Sequence, residues 1–279
     1  MIEIDIKASK VSPQTLWRFY KTIRHIAPDI IHTHKQKSSY IVKWLFPFLQ
    51  IPYVATKHDM QMKKVYNKIP YVIAISDETI HTFKARYTYK IYTAVHKKEL
   101  PKIDKEPCFT IVAVGGLRAV KGFDKLISAC QTLPFQFQLW ILGEGDERAY
   151  LESLISSLGL QKSIFLLGFQ ENIHEWIAKS HLQVISSHSE GFSLAMIEGV
   201  FYADVLMSTR VSGCIEVLPE ELLTNQDEMA QKIVEIYNNY SYFRALFESV
   251  KISWTQKLEI NFCKEEHVKI YQDIISKTQ

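Results

Sequence analysis

The chain has 279 residues, a length that predicts about two domains. Hydrophobic residues make up 47% and charged residues 23%, a globular balance that excludes a disordered chain. The formal net charge of +3 is too small to indicate a nucleic-acid-binding protein. The four cysteines are widely spaced and form no C-x-x-C pair, which argues against a zinc ribbon or a disulfide framework and favours a reducing cytosol.

No targeting segment is visible in the sequence. The first ten residues, MIEIDIKASK, are charged and lack the apolar centre of a signal peptide. The most apolar stretch, residues 40–55, is broken by a lysine, a glutamine and two prolines, and falls short of the roughly 18 apolar residues that a membrane span needs. These features predict a cytoplasmic protein.

The first half of the chain alternates strand and helix patterns. Residues 2–6 alternate like a strand, and residues 13–26 form a predicted helix with Ser12 as its N-cap and Pro13 in its first turn. The pattern then predicts strands at 29–34, 52–57, 70–76 and 89–94, with helices at about 36–48 and 77–86.

The second half repeats this alternation. Predicted strands lie at 108–115, 137–143, 163–168 and 182–187, with helices at about 123–132 and 146–158, and the chain is mostly helical after residue 227. Strands separated by helices of 10–15 residues indicate βαβ units. We therefore expect an α/β protein with two Rossmann-like, doubly wound parallel sheets.

The polar segment 96–107, which contains two prolines, is the predicted domain boundary. It divides the chain into an N-terminal domain at 1–104 and a second domain at 105–261. The last helix, at 262–279, is expected to pack back onto the first domain.

The segment EGFSLAMIE carries the strongest chemical pattern. Glu190 follows a predicted strand, at the sheet edge where α/β proteins bind ligands. Gly191 allows close backbone approach, and the N–H groups of Phe192 and Ser193 at a helix start suit a diphosphate. Glu198, about two turns into that helix, could accept hydrogen bonds from a ribose. The alternative is a cap-region acid at 190 and a solvated helix residue at 198.

A second pattern is VAVGGLRAVKGFDKLISA, residues 112–129. A predicted strand ends at Gly115 and Gly116, and Lys121 stands before the next helix. A lysine beside glycines at this edge is placed to neutralise a departing phosphate, with Arg118 as a second candidate. The alternative is a solvated loop lysine beside a helix-capping glycine.

Together these segments resemble the retaining GT-B glycosyltransferases of family 4. The resemblance covers most of the chain and is strongest from about 108 to 219. It rests on VGGLRAVKGFDKLI, LWILGEGDERAYLESLISSLGL, IFLLGFQENIHEWI and HLQVISSHSEGFSLAMIEG, and in the first half on PDIIHTH, TKHD and YVIAISDETI.

The resemblance implies a set of donor-binding residues. Glu190 would face the donor sugar and phosphate, Lys121 would bind the β-phosphate, and Glu198 would bind the ribose. Backbone contacts to the nucleotide sugar would come from the glycine loops and the helix start: Gly115, Gly116, Gly143, Gly145, Gly191, Phe192 and Ser193. The donor, expected to be a UDP-sugar, would sit mainly on the second domain, and no metal or other cofactor is expected.

His58 in TKHD matches the family histidine near the transferred sugar and the acceptor, and would polarise a sugar hydroxyl. The alternative is a histidine that caps a strand end. His32 and His34 share a strand face, but no third ligand has recognisable spacing, so the sequence favours a structural role over a metal site.

The chain departs from the family pattern in four places. It begins at what looks like the second or third strand of the family, without the usual glycine-rich loop. Gly116 stands where the family commonly has arginine, Thr93 and Ala94 replace Asn-Gly, and Ala203 and Val205 replace Gly and Pro.

The main expectation is transfer of a hexose-type sugar, with retention, to a glycan or glycolipid of a cell-surface polysaccharide such as lipopolysaccharide. The departures leave two alternatives: a catalytically weak or non-catalytic subunit, and a nucleotide-sugar epimerase.

Residues 35–68 combine aromatic side chains with lysines, a pattern typical of contact with anionic lipid headgroups. The alternative is a core-facing helix with a solvated lysine edge. The predicted partners are therefore a nucleotide sugar, a glycan or glycolipid acceptor, and the inner face of a membrane, with no nucleic acid.

Overall fold

The computed structural model describes residues 12–278, which form two compact α/β units. The first unit contains the described residues up to Tyr92 together with those from Lys264 onward, and the second is Thr93–Cys263. The strand predicted at 2–6 lies outside the described residues. The predicted boundary at 104/105 falls in a stretch of the second unit without regular secondary structure.

The first unit contains a four-stranded parallel sheet. Its strands are β1 (Ile31–His34), β2 (Tyr53–Lys57), β3 (Tyr71–Ala74) and β4 (Tyr87–Lys90), and they lie side by side in that order. All residues of β2 and β3 are buried, as expected for central strands, whereas β4 alternates between half-buried and exposed residues. Among the described strands of this unit, the spatial order follows the chain order without a reversal.

Helices cover this sheet: α1 (Pro13–Ile26), α2 (Lys35–Leu49), the short α3 (Asp77–Ile80) and most of the C-terminal helix (Ile260–Ser276). The α1 helix begins at the predicted cap, where the Ser12 hydroxyl accepts a hydrogen bond from the Thr15 amide. An apolar stripe on α1 packs against α2 through Leu16, Phe19, Tyr20 and Ile23 on one side and Ile41, Leu45 and Leu49 on the other.

The helix predicted at 77–86 is wrong in length, because α3 ends at Ile80. The Thr82 hydroxyl donates to the Thr79 carbonyl, and the Lys84 amide donates to the Asn67 side chain. These bonds turn the chain out of the helix and bury Phe83 in the core.

The second unit contains a six-stranded parallel sheet. Its strands are β5 (Phe109–Val114), β6 (Phe137–Leu142), β7 (Ile164–Gly168), β8 (Leu182–Ile185), β9 (Val205–Thr209) and β10 (Leu223–Thr224). Their spatial order is β10-β9-β8-β5-β6-β7, so the winding reverses between β5 and β8. Such a reversal opens a crevice at the carboxyl ends of the two strands, where doubly wound sheets bind ligands.

The helices of this unit are α4 (Phe123–Cys130), α5 (Arg148–Ser157), α6 (Ile173–Lys179), α7 (Leu194–Tyr202), α8 (Cys214–Val217), α9 (Met229–Asn238) and α10 (Tyr240–Trp254). The central strand β5 has fully buried side chains at Ile111, Val112 and Ala113, so the core surrounds the strand that leads into the crevice. Among the helices of residues 12–278, none is both long and apolar enough to cross a membrane.

Candidate active site

Two loops meet at the crevice of the second unit. The loop after β5 carries Lys121, the loop after β8 carries Glu190, and the Lys121 ammonium forms an ion pair with the Glu190 carboxylate. Both side chains are largely buried, with exposed fractions of 15% and 13%. The Ser187 hydroxyl donates a second hydrogen bond to the same carboxylate oxygen, at 2.7 Å. The sheet therefore brings together the two residues that the sequence placed in separate motifs.

Backbone contacts fix Lys121 against the second loop. The Ser186 hydroxyl donates to the Lys121 carbonyl at 2.9 Å, and the His188 amide donates to the Val120 carbonyl at 2.8 Å. Gly122 has a left-handed backbone (φ 61°), and a Cβ there would lie 2.3 Å from the Ser186 carbonyl oxygen. Only glycine fits this contact, so the packing of the two loops requires glycine at position 122.

Gly143 and Gly145 also allow one loop backbone to pack closely against another. A Cβ on Gly143 would lie 2.0 Å from the Gly115 carbonyl oxygen, and one on Gly145 would lie 2.3 Å from the Leu117 carbonyl oxygen. The Leu117 amide also donates to the Glu144 carbonyl. The glycines after β6 thus hold the β5 loop in place.

Arg118 lies beside Gly116 at the mouth of the crevice. The Arg118 Nε would be 3.5 Å from a Cβ on Gly116, an ordinary contact, so the guanidinium stem passes over the glycine. Arg118 is exposed, and its side chain lies next to Gly116.

Helix α7 begins at the crevice with Leu194, three residues after Gly191. Ser193 is its N-cap, is 5% exposed, and makes no side-chain capping bond to the described chain. The first intrahelical bond runs from the Ile197 amide to the Ser193 carbonyl. The amides of the first turn therefore have no partner within the helix, which suits an anion. The Phe192 ring is buried against Gly213.

Glu198 lies on α7 in a poorly hydrated position. Burial raises the pKa of its carboxyl group to about 7. A buried carboxyl group is stabilised by hydrogen-bond donors, so hydroxyl groups of a ligand would be favoured partners.

His58 stands at the carboxyl edge of the first unit's sheet. Its Nε2 lies 3.0 Å from His34 Nδ1, and both side chains are exposed. His32, on the same face of β1, stacks 4.3 Å from the His34 ring and is hydrogen-bonded through Nε2 to Thr56. The C-terminal helix adds Tyr271, whose hydroxyl lies 2.5 Å from His32 Nδ1.

His267 of the same helix completes this histidine cluster, with its ring 5.5 Å from that of His32. Burial, and then the charges of His34, His267 and His58, lower the pKa of His32 to about 3. Burial and neighbouring charges also lower the pKa values of His34 and His58. The imidazoles of His32, His34 and His58 are therefore neutral at physiological pH.

Asp59 holds the loop that carries His58. Its carboxylate pairs with Lys57 at 3.2 Å and with Lys63 at 2.6 Å, and it accepts a hydrogen bond from the Gln61 amide. Burial alone would raise the pKa of Asp59, but hydrogen bonds from Lys63 and Lys57 bring it below the usual value. Lys57 is fully buried, and this burial lowers its pKa.

The sequence reasoning missed two members of the cluster, His267 and Tyr271. They lie more than 200 residues along the chain from His32 and sit in a helix with no motif. The only available signal was the prediction that the last helix packs on the first domain. Within residues 12–278, no group of three or more His, Cys, Asp or Glu side chains is arranged to hold a metal ion.

The aromatic segment predicted for membrane contact divides into two parts. Large side chains of α2 are more than a third exposed: Tyr40, Trp44, Phe46 and Phe48. Lys57 and Lys63, in contrast, face Asp59, and Lys57 is buried. The exposed aromatic side chains therefore lie on the helix, and Lys57 does not contribute to this surface.

Comparison with known proteins finds a family match within the second unit. Residues 108–239 match the family described as Glycosyl transferases group 1. An uncharacterised glycosyltransferase of Methanocaldococcus jannaschii is 27% identical over 271 residues, covering 88% of this chain and 76% of the relative.

A Campylobacter jejuni enzyme that is named as an N-acetylgalactosaminyltransferase acting on a diphospho-undecaprenol-linked sugar is 32% identical over 171 residues. That match covers 59% of this chain and 45% of the enzyme, so the chain spans less than half of that relative.

The fold has solved counterparts. The crystal structure of Anabaena HepE in complex with UDP superposes with a TM-score of 0.82 at 18% identity, covering 93% of this chain and 82% of the other. An identity this low shows the fold alone. Residues 108–239 are therefore similar to the Glycosyl transferases group 1 family, and the chain has the GT-B fold, as predicted.

Proposed function

We propose that the protein is a retaining glycosyltransferase that moves a hexose-type sugar from a nucleotide diphosphate donor, a UDP-sugar, to a glycan or glycolipid. The observation that carries this proposal is the Lys121–Glu190 pair at the reversal between β5 and β8. The similarity to glycosyltransferases, and UDP in a structure of the same fold, support it.

The donor diphosphate is assigned to the second unit. An ammonium group has three N–H donors, so Lys121 can keep its bond to Glu190 while it binds a phosphate oxygen. The amides that begin α7 and the Arg118 guanidinium would share the remaining charge of the departing diphosphate. These groups supply positive charge without a metal, and we propose a metal-independent reaction.

Glu198 is assigned to the ribose. Its carboxyl group is poorly hydrated, and two ribose hydroxyls would replace lost water and favour the ionised form. Glu190 would face the donor sugar. His58, on the first unit, would polarise a sugar hydroxyl as a neutral imidazole.

The acceptor is proposed from a relative. The Campylobacter enzyme is named for an undecaprenol-linked acceptor, which supports a lipid-linked glycan here, reached from the cytoplasmic side of a membrane. Lipopolysaccharide is one such class of product.

The test is calorimetric titration of UDP into the wild-type protein and into Lys121→Ala. Loss of a charge-assisted contact predicts about 10- to 100-fold weaker binding. The matched control is Lys125→Ala, an exposed lysine of α4, which should bind UDP as the wild type does. Equal affinities of the wild type and Lys121→Ala would contradict the donor assignment.

Turnover is tested with a panel of UDP-sugars and acceptors, and the anomeric configuration is read by NMR. Transfer with retention, undiminished by EDTA, is expected. Binding of UDP without turnover would indicate the non-catalytic alternative, and a changed nucleotide sugar without acceptor would indicate the epimerase.

A further inference from the structure

The first unit carries an exposed aromatic groove between α1 and α2. Its volume is about 460 Å³, and its lining comprises Leu16, Trp17, Tyr20, Trp44, Leu45 and Phe48. Three of these side chains are more than half exposed: Trp17 at 58%, Trp44 at 55% and Phe48 at 68%. Large aromatic side chains clustered in this way mark an interaction surface.

The two helices that form this groove are cationic. Arg18, Lys21 and Arg24 lie on α1, Lys35, Lys37 and Lys43 lie on α2, and neither helix contains an acidic residue. Their charge is therefore not balanced within the two helices.

The cations and the aromatic rings belong to one surface. The Lys21 ammonium lies 4.0 Å from the centre of the Trp17 ring, and Lys43 lies within 6.0 Å of the Tyr40 and Trp44 rings. Arg24 follows Trp17 by seven residues, two helical turns further along the same side of α1. Apolar rings and positive heads therefore point to the same solvent region.

We propose that α1 and α2 form a docking surface for an anionic lipid bilayer, with Trp17, Trp44 and Phe48 entering the headgroup region and Lys21 and Arg24 contacting lipid phosphates. The positive charge of the two helices, with Lys21 and Lys43 beside the aromatic rings, selects this partner over a neutral one. Aromatic rings with polar rims suit the boundary between headgroups and acyl chains. The inference adds a membrane-binding surface to the proposed function and makes no use of the donor site.

The surface differs from the one predicted at 35–68. It adds α1, whose Trp17 and Lys21 no sequence motif had marked, and it leaves out Lys57, which is buried beside Asp59. The structure reveals it because Leu16, Tyr20 and Leu45 bring the two helices together, although a strand separates them along the chain.

The test is flotation of the full chain with vesicles of phosphatidylcholine, with or without roughly one third phosphatidylglycerol. Binding to the anionic vesicles only, weakened by salt, is expected. Lys21→Glu/Arg24→Glu should weaken binding about thirtyfold or more, and Trp17→Ala/Phe48→Ala about tenfold. All four side chains are exposed, so these variants are expected to fold.

Matched controls come from the second unit. Phe169→Ala and Ile252→Ala remove apolar side chains that are 75% and 79% exposed, and Lys125→Glu/Lys162→Glu reverses two exposed charges. These variants should bind vesicles as the wild type does. All docking-surface variants should retain UDP affinity, which separates failure of this inference from failure of the donor assignment.

Three results would overturn the proposal. The first is equal flotation with neutral and anionic vesicles, and the second is undiminished binding by both double variants. The third is a dimer in light scattering that Trp17→Ala/Phe48→Ala converts to a monomer, since the groove would then belong to a second copy of the chain.

Discussion

The carboxyl edges of the two sheets are held by different contacts, backbone packing in the second unit and side-chain contacts in the first. All ten glycines of the chain lie between Gly115 and Gly213, in the second unit, and residues 1–92 contain none. The second unit therefore packs loop backbone against loop backbone, as Gly122 does against Ser186. The first unit holds its edge with side chains instead, through the histidine cluster and Asp59.

This difference separates two kinds of recognition. In the second unit, closely packed loop backbone presents amide groups beside the Lys121–Glu190 ion pair. Such an arrangement would suit a diphosphate. An edge of neutral imidazoles offers donors and acceptors without fixed charge, which suits sugar hydroxyls. Experiments that alter the backbone contacts, or the protonation of each edge, test this contrast directly.

The largest effect is expected from Gly143→Ala. The new Cβ would lie 2.0 Å from the Gly115 carbonyl oxygen at a φ of 141°, which predicts a loss of about 3–5 kcal/mol in the free energy of unfolding. Gly159→Ala is the control, since its φ of 71° is also positive but no atom lies within 4 Å, and about 1–2 kcal/mol is expected. Urea unfolding measures both, and equal losses would refute the role of backbone packing.

Glu198 should make the second unit less stable as pH rises. Its pKa is raised to about 7 in the folded protein, so the folded state binds more protons than the unfolded state between the usual carboxyl value and 7. Stability is thus lost as pH rises through this range. Glu198→Gln is expected to increase the free energy of unfolding at pH 8 by about 1–3 kcal/mol, with little change at pH 4. A gain of the same size at both pH values would contradict this.

The first unit should respond in the opposite direction. The pKa of His32 is lowered to about 3, so between 3 and 6.5 the unfolded state binds more protons, and stability falls as pH drops below 6.5. A drop to pH 5 is expected to cost about 1–2 kcal/mol. Amide hydrogen exchange should quicken in β1 and β2 but not in β5 and β6. An equal increase in amide hydrogen exchange in both sheets would contradict the predicted difference between the two units.

The smallest effect is expected from Asp59→Asn. The change removes a charge partner of buried Lys57, but Asp59 is 39% exposed, and solvent screening reduces the expected loss to about 1 kcal/mol. Asp77→Asn breaks a more exposed pair with Lys90 and should cost less. Thermal unfolding compares the two variants, and a larger loss for Asp77→Asn would contradict the role of Lys57 burial.

The sequence was most informative for the second unit, where each buried strand is followed by its own motif. Alternation of strands and helices predicted a doubly wound sheet, and that topology alone places the loops of Lys121 and Glu190 side by side. The backbone packing by Gly143 and Gly145 was not predicted, because a glycine pattern does not distinguish a ligand contact from a loop contact.

In the first unit the sequence predicted the strands but not the contacts. His32, His267 and Tyr271 meet through a helix from the end of the chain, a contact with no local pattern. The early end of α3 depends on the Asn67 side chain, which lies in another loop. Contacts between distant segments are set by tertiary packing, which periodicity does not record.

The C-terminal helix has a consequence for biosynthesis. A ribosome releases Thr93–Cys263 before it releases His267 and Tyr271, which the first unit needs to complete its histidine cluster. The second unit can therefore fold before the C-terminal helix is available to the first unit. This is the reverse of the usual order of cotranslational folding, in which the N-terminal domain folds first.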